Sequence, residues 1–273
     1  MTLSGADIAQ LLSVHGLHPS KALGQNFVAD PNTVRRIVRL AGIGPGSRVL
    51  EIGAGLGSLT LALAETGAAV VAVEVDRHLV PVLRSVVEPA GVEVVEGDAL
   101  SLDLAALVAA RGPGEWDLVA NLPYNVATPL VLRILVEVEA VTRMVVMVQR
   151  EVGERMAASA GQAAYGAVSV RVAYFARAEV VGRVPPSVFV PRPRVESVLV
   201  RLVRRAAPAV DPAVVPYARL DAVVRAGFAQ RRKMLRRSLA AVVEPDAFAR
   251  AGVRPDARAE ELDVTDWGRL AAQ

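Results

Sequence analysis

The chain has 273 residues, of which 53% are hydrophobic, and this combination predicts a folded protein with a sizeable core rather than a disordered one. Cysteine is absent and the three histidines (His15, His18, His78) are scattered, so disulfides and cysteine metal sites are excluded and no metal site is expected. A net charge of only +3 argues weakly for a nucleic-acid partner.

The amino-terminal residues show no basic segment followed by an apolar core, so no secretory signal is expected. No charge-free stretch reaches the roughly 20 residues that a membrane helix needs. We therefore expect a soluble, cytoplasmic protein that has no membrane partner and acts as a monomer.

Helical and strand-like segments alternate from about residue 32 to 150. Pro31–Ala41 has helical spacing, with Asp30 as its predicted N-cap and Pro31 in its first turn. Such alternation predicts an α/β fold with a parallel, doubly wound sheet. The predicted strands are Arg48–Ile52, Val70–Glu74, Val92–Glu96, Leu118–Ala120 and Thr142–Val148.

A glycine turn, Gly53–Gly57, follows the first of these strands and is preceded by the acid Glu51. Glycine lets the backbone turn sharply and approach a ligand closely. The spacing is Gly-x-Gly-x-Gly, not the Gly-x-Gly-x-x-Gly of dinucleotide-binding proteins, and it is similar to the S-adenosylmethionine turn of class I methyltransferases. Glu74, at the end of the next strand, is placed to bind ribose hydroxyls. Asp98 follows the third strand, where it can cap the next helix, bind a ligand, or do both.

Asn121-Leu122-Pro123-Tyr124 follows the predicted strand Leu118–Ala120. Pro123 stiffens this turn, so an amide and a phenol ring are held at the carboxyl end of a strand, where open α/β sheets bind ligands. An amide oxygen can accept a hydrogen bond from an amino group, and an aromatic face can stack on a base. The segment therefore indicates chemistry on the exocyclic amine of a nucleobase.

Further segments complete a recognisable set. They are Gly24–Val28, Asn121–Leu130, Gln149–Val152, Pro185–Pro193 with Val195–Ser197, and Gln230–Lys233. Together they resemble the ribosomal RNA adenine N6,N6-dimethyltransferase family, specifically its small-subunit branch, from about Lys21 to Trp267. One departure is Ala22-Leu23, where relatives often carry Arg-Phe.

The resemblance implies a class I, Rossmann-like methyltransferase domain in residues 1–204 and a helical, RNA-contacting domain in residues 205–273. It implies S-adenosylmethionine as the methyl donor. The expected substrate is two adjacent adenosines near the 3′ end of 16S rRNA in the small ribosomal subunit, an activity linked to ribosome biogenesis. The family's cofactor-binding positions fall on Asn26, Val28, Gly53, Glu74, Asp98 and Asn121.

The same resemblance suggests a mechanism. Hydrogen bonds from the adenine N6–H groups to the Asn121 side-chain oxygen and the Leu122 backbone oxygen would make the nitrogen lone pair available. Catalysis would then rest on positioning and dipoles rather than on a strong base. We expect the target base to leave its stack and to be held by the rings of Tyr124 and Phe189.

Val180–Val203 reads as two strands that flank the proline-rich turn, and Arg204–Pro208 as a linker. Beyond it, apolar residues from Val224 to Val242 recur at helical spacing, which predicts an amphipathic helix. Its other side would carry basic residues without interleaved acids, which favours RNA over a merely solvated face. These predicted RNA-binding residues are Arg225, Arg232, Lys233, Arg236 and Arg237.

Three alternatives stay open at this point. The first is a 23S rRNA adenine methyltransferase of the antibiotic-resistance type, against which Asn125–Leu130 and Gln230–Lys233 argue. The second is a non-catalytic ribosome assembly factor, against which the intact Asn121 and Tyr124 argue. The third is an NAD-dependent oxidoreductase, against which the glycine spacing argues.

Overall fold

A computed structural model describes residues 2–273 of the chain. The contacts between residues define two units. The first contains the chain up to Gly153 together with Glu179–Val203, and the second contains Glu154–Ala178 together with Arg204–Gln273. The last boundary between the units falls after Val203, whereas the sequence predicted it after residue 204, and Glu154–Ala178 also belongs with the carboxyl-terminal helices. The reason is that Tyr165, Val170 and Tyr174 pack into their core.

Nine strands occur in the described chain. They are β1 Phe27–Val28, β2 Arg48–Ile52, β3 Ala69–Glu74, β4 Glu93–Glu96, β5 Trp116–Asn121, β6 Val141–Gln149, β7 Ala176–Val184, β8 Phe189–Val190 and β9 Ser197–Arg204. Seven of them form one sheet in the order β4-β3-β2-β5-β6-β9-β7. Strands β2 to β6 are parallel to their neighbours, whereas β9 runs antiparallel to β6. The predicted α/β class is therefore confirmed, with a sheet that is mixed at one edge.

Twelve α-helices accompany these strands. They are α1 Gly5–Val14, α2 Pro31–Ala41, α3 Ser58–Ala64, α4 Val80–Val87, α5 Leu104–Ala109, α6 Ala127–Glu137, α7 Arg150–Ala157, α8 Ala167–Phe175, α9 Tyr217–Ala229, α10 Leu235–Ser238, α11 Ala247–Ala251 and α12 Val264–Ala271. Helix α2 has the bounds that the sequence predicts, and the Asp30 carboxylate accepts hydrogen bonds from the N–H groups of Asn32 and Thr33. Its buried residues Val34 and Ile37 pack against the sheet strands in the main core of the first unit.

Strands β1 and β8 form a separate antiparallel ribbon, in which Phe27 pairs with Val190 and Val28 with Phe189. This ribbon was not predicted from the sequence, because two-residue strands carry no periodic signal. It holds the segment before α2 against the proline-rich segment Pro185–Pro193.

The second unit has its own core, built around Trp267, which is completely buried. Helix α9 approaches α12 closely at Gly227, where an added Cβ would lie 2.3 Å from the Trp267 ring. The ring of Phe228 packs on Trp267 with centroids 5.6 Å apart. This unit can therefore bury an aromatic core of its own.

Two kinds of feature are absent from residues 2–273. No helix combines the length and apolar character that a membrane span requires. No group of three or more acidic or histidine side chains within the described chain is arranged to hold a metal ion.

Candidate active site

A cavity lies in the first unit at the carboxyl ends of β2, β3 and β5, where parallel sheets bind ligands. With the open solvent at its mouth included, the cavity encloses about 790 Å³. Its lining residues come from four segments and helix α1. They are Ile8, Leu23–Val28, Glu51, Gly53–Leu56, Ser58, Leu59, Glu74, Val75 and Asn121–Tyr124.

The glycine turn forms one wall of the cavity. Gly53 and Gly55 have φ values of +75° and +61°, which favour glycine because a side chain is strained there. A Cβ at Gly55 would also lie 3.0 Å from the ring of Phe27. Glycine thus allows both the turn and its close approach to the segment before α2.

Glu74 is 5% exposed, and its carboxylate holds the glycine turn in place by hydrogen bonds. One carboxylate oxygen accepts a hydrogen bond from the Gly55 N–H at 2.7 Å, and the other accepts one from the Asp76 N–H at 2.9 Å. Each oxygen keeps a further lone pair for a ligand hydroxyl. Burial raises the pKa of Glu74, while these N–H donors oppose that rise.

Asn121 ends β5, and its orientation is set by the amino-terminal segment. The Asn121 Nδ2 donates a hydrogen bond of 3.0 Å to the backbone oxygen of Asn26. Because the amide nitrogen is engaged there, the Oδ1 atom is the free end of the side chain. The half-buried side chain therefore presents an acceptor at the cavity.

Tyr124 is held at the other end of the same turn. Its hydroxyl lies 3.0 Å from the hydroxyl of Ser197, a fully buried residue at the start of β9. This contact anchors the ring by its polar end while the ring lines the cavity. Leu122 is buried, and its N–H donates to the Met147 oxygen at 3.0 Å, so the turn is fixed to β6 as well.

Seven predicted site residues meet at this cavity. They are Asn26, Val28, Gly53, Glu74, Asn121, Leu122 and Tyr124. Two others do not line it. Asp98 is exposed and accepts a hydrogen bond of 2.9 Å from the Leu100 N–H, which is the turn-capping role of this residue type. Its predicted contact with the cofactor adenine stays a prediction.

Phe189 does not line the cavity. We predicted that its ring lies against the target base; its side chain is 3% exposed and packs in the main core of the first unit, so the contact with the base stays a prediction. In the β1–β8 ribbon Phe189 pairs with Val28, and its side chain belongs to the same buried cluster as Val34. The structure therefore brings Tyr124 to the cavity but not Phe189.

The basic helix predicted from the sequence is not continuous in the structure. Helix α9 ends at Ala229, and the short α10 begins only at Leu235, so Val224–Val242 is not one helix. Between them the chain turns, and Met234 forms an antiparallel bridge with Arg258. The helical spacing continues across the break because buried Leu235 and Leu239 still pack in the core of the second unit.

The predicted RNA-binding residues are not equivalent in this geometry. Arg225 forms an ion pair with Asp221 at 3.3 Å. The other four are exposed, and none has an ion pair within residues 2–273. They are Arg232, Lys233, Arg236 and Arg237, which we call the basic turn.

Three residues at the site escaped the sequence prediction. Glu51 was noted only as the acid before the glycine turn, yet it is 1% exposed and lines the cavity. Gln25 donates to the Asp76 carboxylate at 2.7 Å and thereby connects the amino-terminal segment to the end of β3. Ser197 orients Tyr124 from a distant strand. Glu51 had a signal in its position before the glycine turn. Gln25 and Ser197 lie in segments that carry the family resemblance, but nothing in the sequence indicated their contacts with Asp76 and Tyr124.

The donor set of the cavity selects the kind of ligand that fits. It contains two carboxyl groups, Glu51 and Glu74, and no lysine, arginine or histidine among its lining residues. Such a site suits a ligand with hydroxyl groups and positive charge. A ribose-bearing sulfonium compound such as S-adenosylmethionine meets both conditions.

Comparison with known proteins agrees with this geometry. Residues 17–272 match the family described as ribosomal RNA adenine dimethylase. A relative named Ribosomal RNA small subunit methyltransferase A, from Leifsonia xyli subsp. xyli, is 46% identical over 99% of this chain and 98% of its own. A relative of the same name from Kineococcus radiotolerans is 44% identical over 99% of this chain and 91% of its own.

Two solved structures share the fold. A dimethyladenosine transferase from Plasmodium falciparum has a TM-score of 0.74 and 24% identity, and covers 88% of this chain and 94% of its own. The 23S rRNA methyltransferase ErmE has a TM-score of 0.70 and 26% identity, and covers 90% of this chain and 98% of its own. With the match to the family profile over nearly the whole sequence, the chain belongs to the ribosomal RNA adenine dimethylase family.

Proposed function

We propose that this protein transfers methyl groups from S-adenosylmethionine to N6 of two adjacent adenosines near the 3′ end of small-subunit rRNA. Support for the small subunit comes from the names of the relatives that are 44–46% identical. The 23S rRNA enzyme shares 26% identity. A large-subunit substrate is the competing candidate, since that enzyme has the same fold.

The orientation of Asn121 carries the proposal. Its Nδ2 is occupied by the Asn26 backbone oxygen, so its Oδ1 can accept a hydrogen bond from an amino group entering the cavity. The Leu122 backbone oxygen follows directly and supplies a second acceptor. Two acceptors on one amino group favour a pyramidal nitrogen with an available lone pair, and preorganised dipoles of this kind lower barriers strongly.

Tyr124 would hold the ring of the target base. Base–aromatic stacking contributes about 1–3 kcal/mol, and the anchored hydroxyl limits the rotation of the phenol ring. An unpaired adenosine that has left its stack can reach this position, whereas a paired base cannot. Phe189 would contribute only after leaving the core.

The cofactor would be held by residues of the same cavity. S-adenosylmethionine supplies, when bound, a methyl group activated by a positively charged sulfur. Glu74 would accept hydrogen bonds from ribose hydroxyls, and Gly53 would let the backbone lie close to the ligand. Asn26 and Val28 would complete the site from the segment before α2.

Transfer of labelled methyl groups tests the whole proposal. Purified protein is incubated with labelled S-adenosylmethionine and either unmethylated small subunits or large subunits, and the modified nucleotides are mapped. We expect two neighbouring dimethylated adenosines near the 3′ end of the small-subunit rRNA. Label in large subunits alone would favour the competing candidate, and binding without transfer would favour an assembly factor.

The basic turn would contact the RNA backbone. Exposed cations without acidic partners are free to displace the counterions of phosphates, and the affinity then falls with salt. We expect the double variant Arg232→Gln/Arg236→Gln to reduce the slope of log affinity against log salt by about 1.5, at about 0.7–0.9 for each phosphate contact.

The matched control is Arg84→Gln/Arg250→Gln. Arg84 is half-buried and Arg250 is exposed, and both are already paired, with Glu88 and Asp246 respectively. Binding of small-subunit rRNA is titrated at several salt concentrations for both double variants. Equal slopes for the two would reject the basic turn as an RNA contact.

A further inference from the structure

Glu51 is a buried acid that the proposed reaction does not use. It lies in β2, where it pairs in register with Ala72 of β3, and it is 1% exposed. Thr60 on α3 lies beside it and is completely buried. Although the side chain is deep in the first unit, it forms part of the cavity lining.

The carboxyl group of Glu51 is incompletely satisfied. Its Oε2 atom has no hydrogen-bond partner within residues 2–273, and neither has the Thr60 hydroxyl. A buried carboxylate in that condition is costly, so the neutral acid is favoured. Burial raises the pKa of Glu51 to about 8, and the negative charge of Glu74 adds to the rise.

The surroundings of Glu51 offer no cation to balance its charge. The titratable residues of the cavity lining are Glu51, Glu74 and Tyr124. Glu74 already accepts N–H groups on both oxygens, from Gly55 and Asp76, whereas Glu51 has an oxygen without a donor. The negative charge that Glu51 carries when ionised is therefore not balanced by the protein, and a positively charged ligand in this cavity could balance it.

We propose that Glu51 is the counter-charge for a cationic ligand and releases its proton to solvent as that ligand binds. The inference rests on the proposed function, because S-adenosylmethionine carries both a sulfonium and an ammonium charge. Glu51 is then a positioning residue: it favours a charged methyl donor electrostatically and is not required to touch the reacting atoms.

Release of the Glu51 proton makes the binding of S-adenosylmethionine depend on pH. The ligand-free protein holds a proton on Glu51 below about pH 8, and the complex does not. Removing that proton costs free energy at pH 7 and almost none at pH 9, so binding strengthens as pH rises. From linkage, the contribution of Glu51 should lower the Kd about tenfold between these two pH values.

Calorimetric titration with S-adenosylmethionine tests this directly. Binding heats measured in buffers with different ionisation enthalpies report the protons released per ligand. At pH 7 the wild type should release nearly one proton more than Glu51→Gln, and the ratio of the variant's Kd to that of the wild type should rise about tenfold from pH 7 to pH 9. Comparing the two proteins removes any proton exchange of the ligand's own amino group.

Glu96→Gln is the matched control. Glu96 is likewise a strand glutamate: it ends β4 and pairs in register with Glu74, but it is exposed and lies outside the cavity lining. Its proton release should equal that of the wild type. If Glu51→Gln does not fold, difference infrared spectra of the wild type supply the test, because binding should remove a carboxylic acid C=O band at pH 7.

The results separate the two proposals. Equal proton release by the wild type and Glu51→Gln, or a carboxylic acid band that persists on binding, overturns the role of Glu51 while the methyl-transfer function stands. Absence of any binding of S-adenosylmethionine to the wild type overturns the proposed function itself, and the role of Glu51 with it.

Discussion

Replacing Asn121 by alanine should lower methyl transfer about 100-fold or more and leave the binding of S-adenosylmethionine within a few-fold of the wild type. Loss of a single preorganised polar group at a reacting centre costs about this much. The Oδ1 of Asn121 is such a group, because its Nδ2 is committed to the Asn26 backbone oxygen. Donor binding is expected to persist because Glu74 and the glycine turn are untouched.

Single-turnover methylation of unmethylated small subunits measures the transfer step, and a separate titration measures donor binding. Asn125→Ala is the control, since Asn125 belongs to the same turn but is exposed and does not line the cavity. A rate for Asn121→Ala close to that of this control would contradict the proposed role. Parallel losses of transfer and donor binding would assign Asn121 to the cofactor site instead.

Replacing Gly57 by alanine should reduce the free energy of unfolding of the protein by about 2–5 kcal/mol. Gly57 begins α3 with φ at +91°, a conformation that costs other residues about 1–2 kcal/mol. An added Cβ would also lie 2.5 Å from a methyl group of Val87 and 3.2 Å from one of Leu83. Overpacking of this kind costs about 1–3 kcal/mol.

Urea unfolding measures this loss, and Gly91→Ala separates its two causes. Gly91 has a similar φ of +79°, but nothing lies within 4 Å of the position of its added Cβ. Gly91→Ala should therefore lose only the part of the stability that comes from the positive φ, about 1–2 kcal/mol. Equal losses for the two variants would show that α4 moves away from the new methyl group without cost.

Local patterns predicted the first unit well, for physical reasons. Asp30 before Pro31 is a capping sequence that acts within one turn, so α2 begins where the sequence indicates. Strand β2 is a short buried segment followed by glycines needed for positive φ, and its bounds were also predicted. Glu74 and Asn121 follow buried strands, and parallel strands bring such positions to one edge of a sheet.

Contacts between distant segments could not be predicted in the same way. Phe189 has the sequence environment of a base-stacking residue, and only its pairing with Val28 places it in a core. The break before Leu235 carries neither proline nor glycine, so the apolar spacing predicted a continuous helix there. The role proposed for Glu51 depends on its Oε2 atom having no hydrogen-bond partner within residues 2–273, and a sequence pattern cannot show that.

The β1–β8 ribbon has a consequence for how the protein is made. A chain is synthesised from its amino terminus, so Phe27 leaves the ribosome long before its partner Val190 exists. Ser197, which anchors Tyr124, appears later still. Until both residues have been synthesised, the cavity therefore lacks the β1–β8 pairing at its amino-terminal wall and the hydrogen bond that holds Tyr124. A nascent chain would therefore acquire the complete site only after Ser197 had been synthesised.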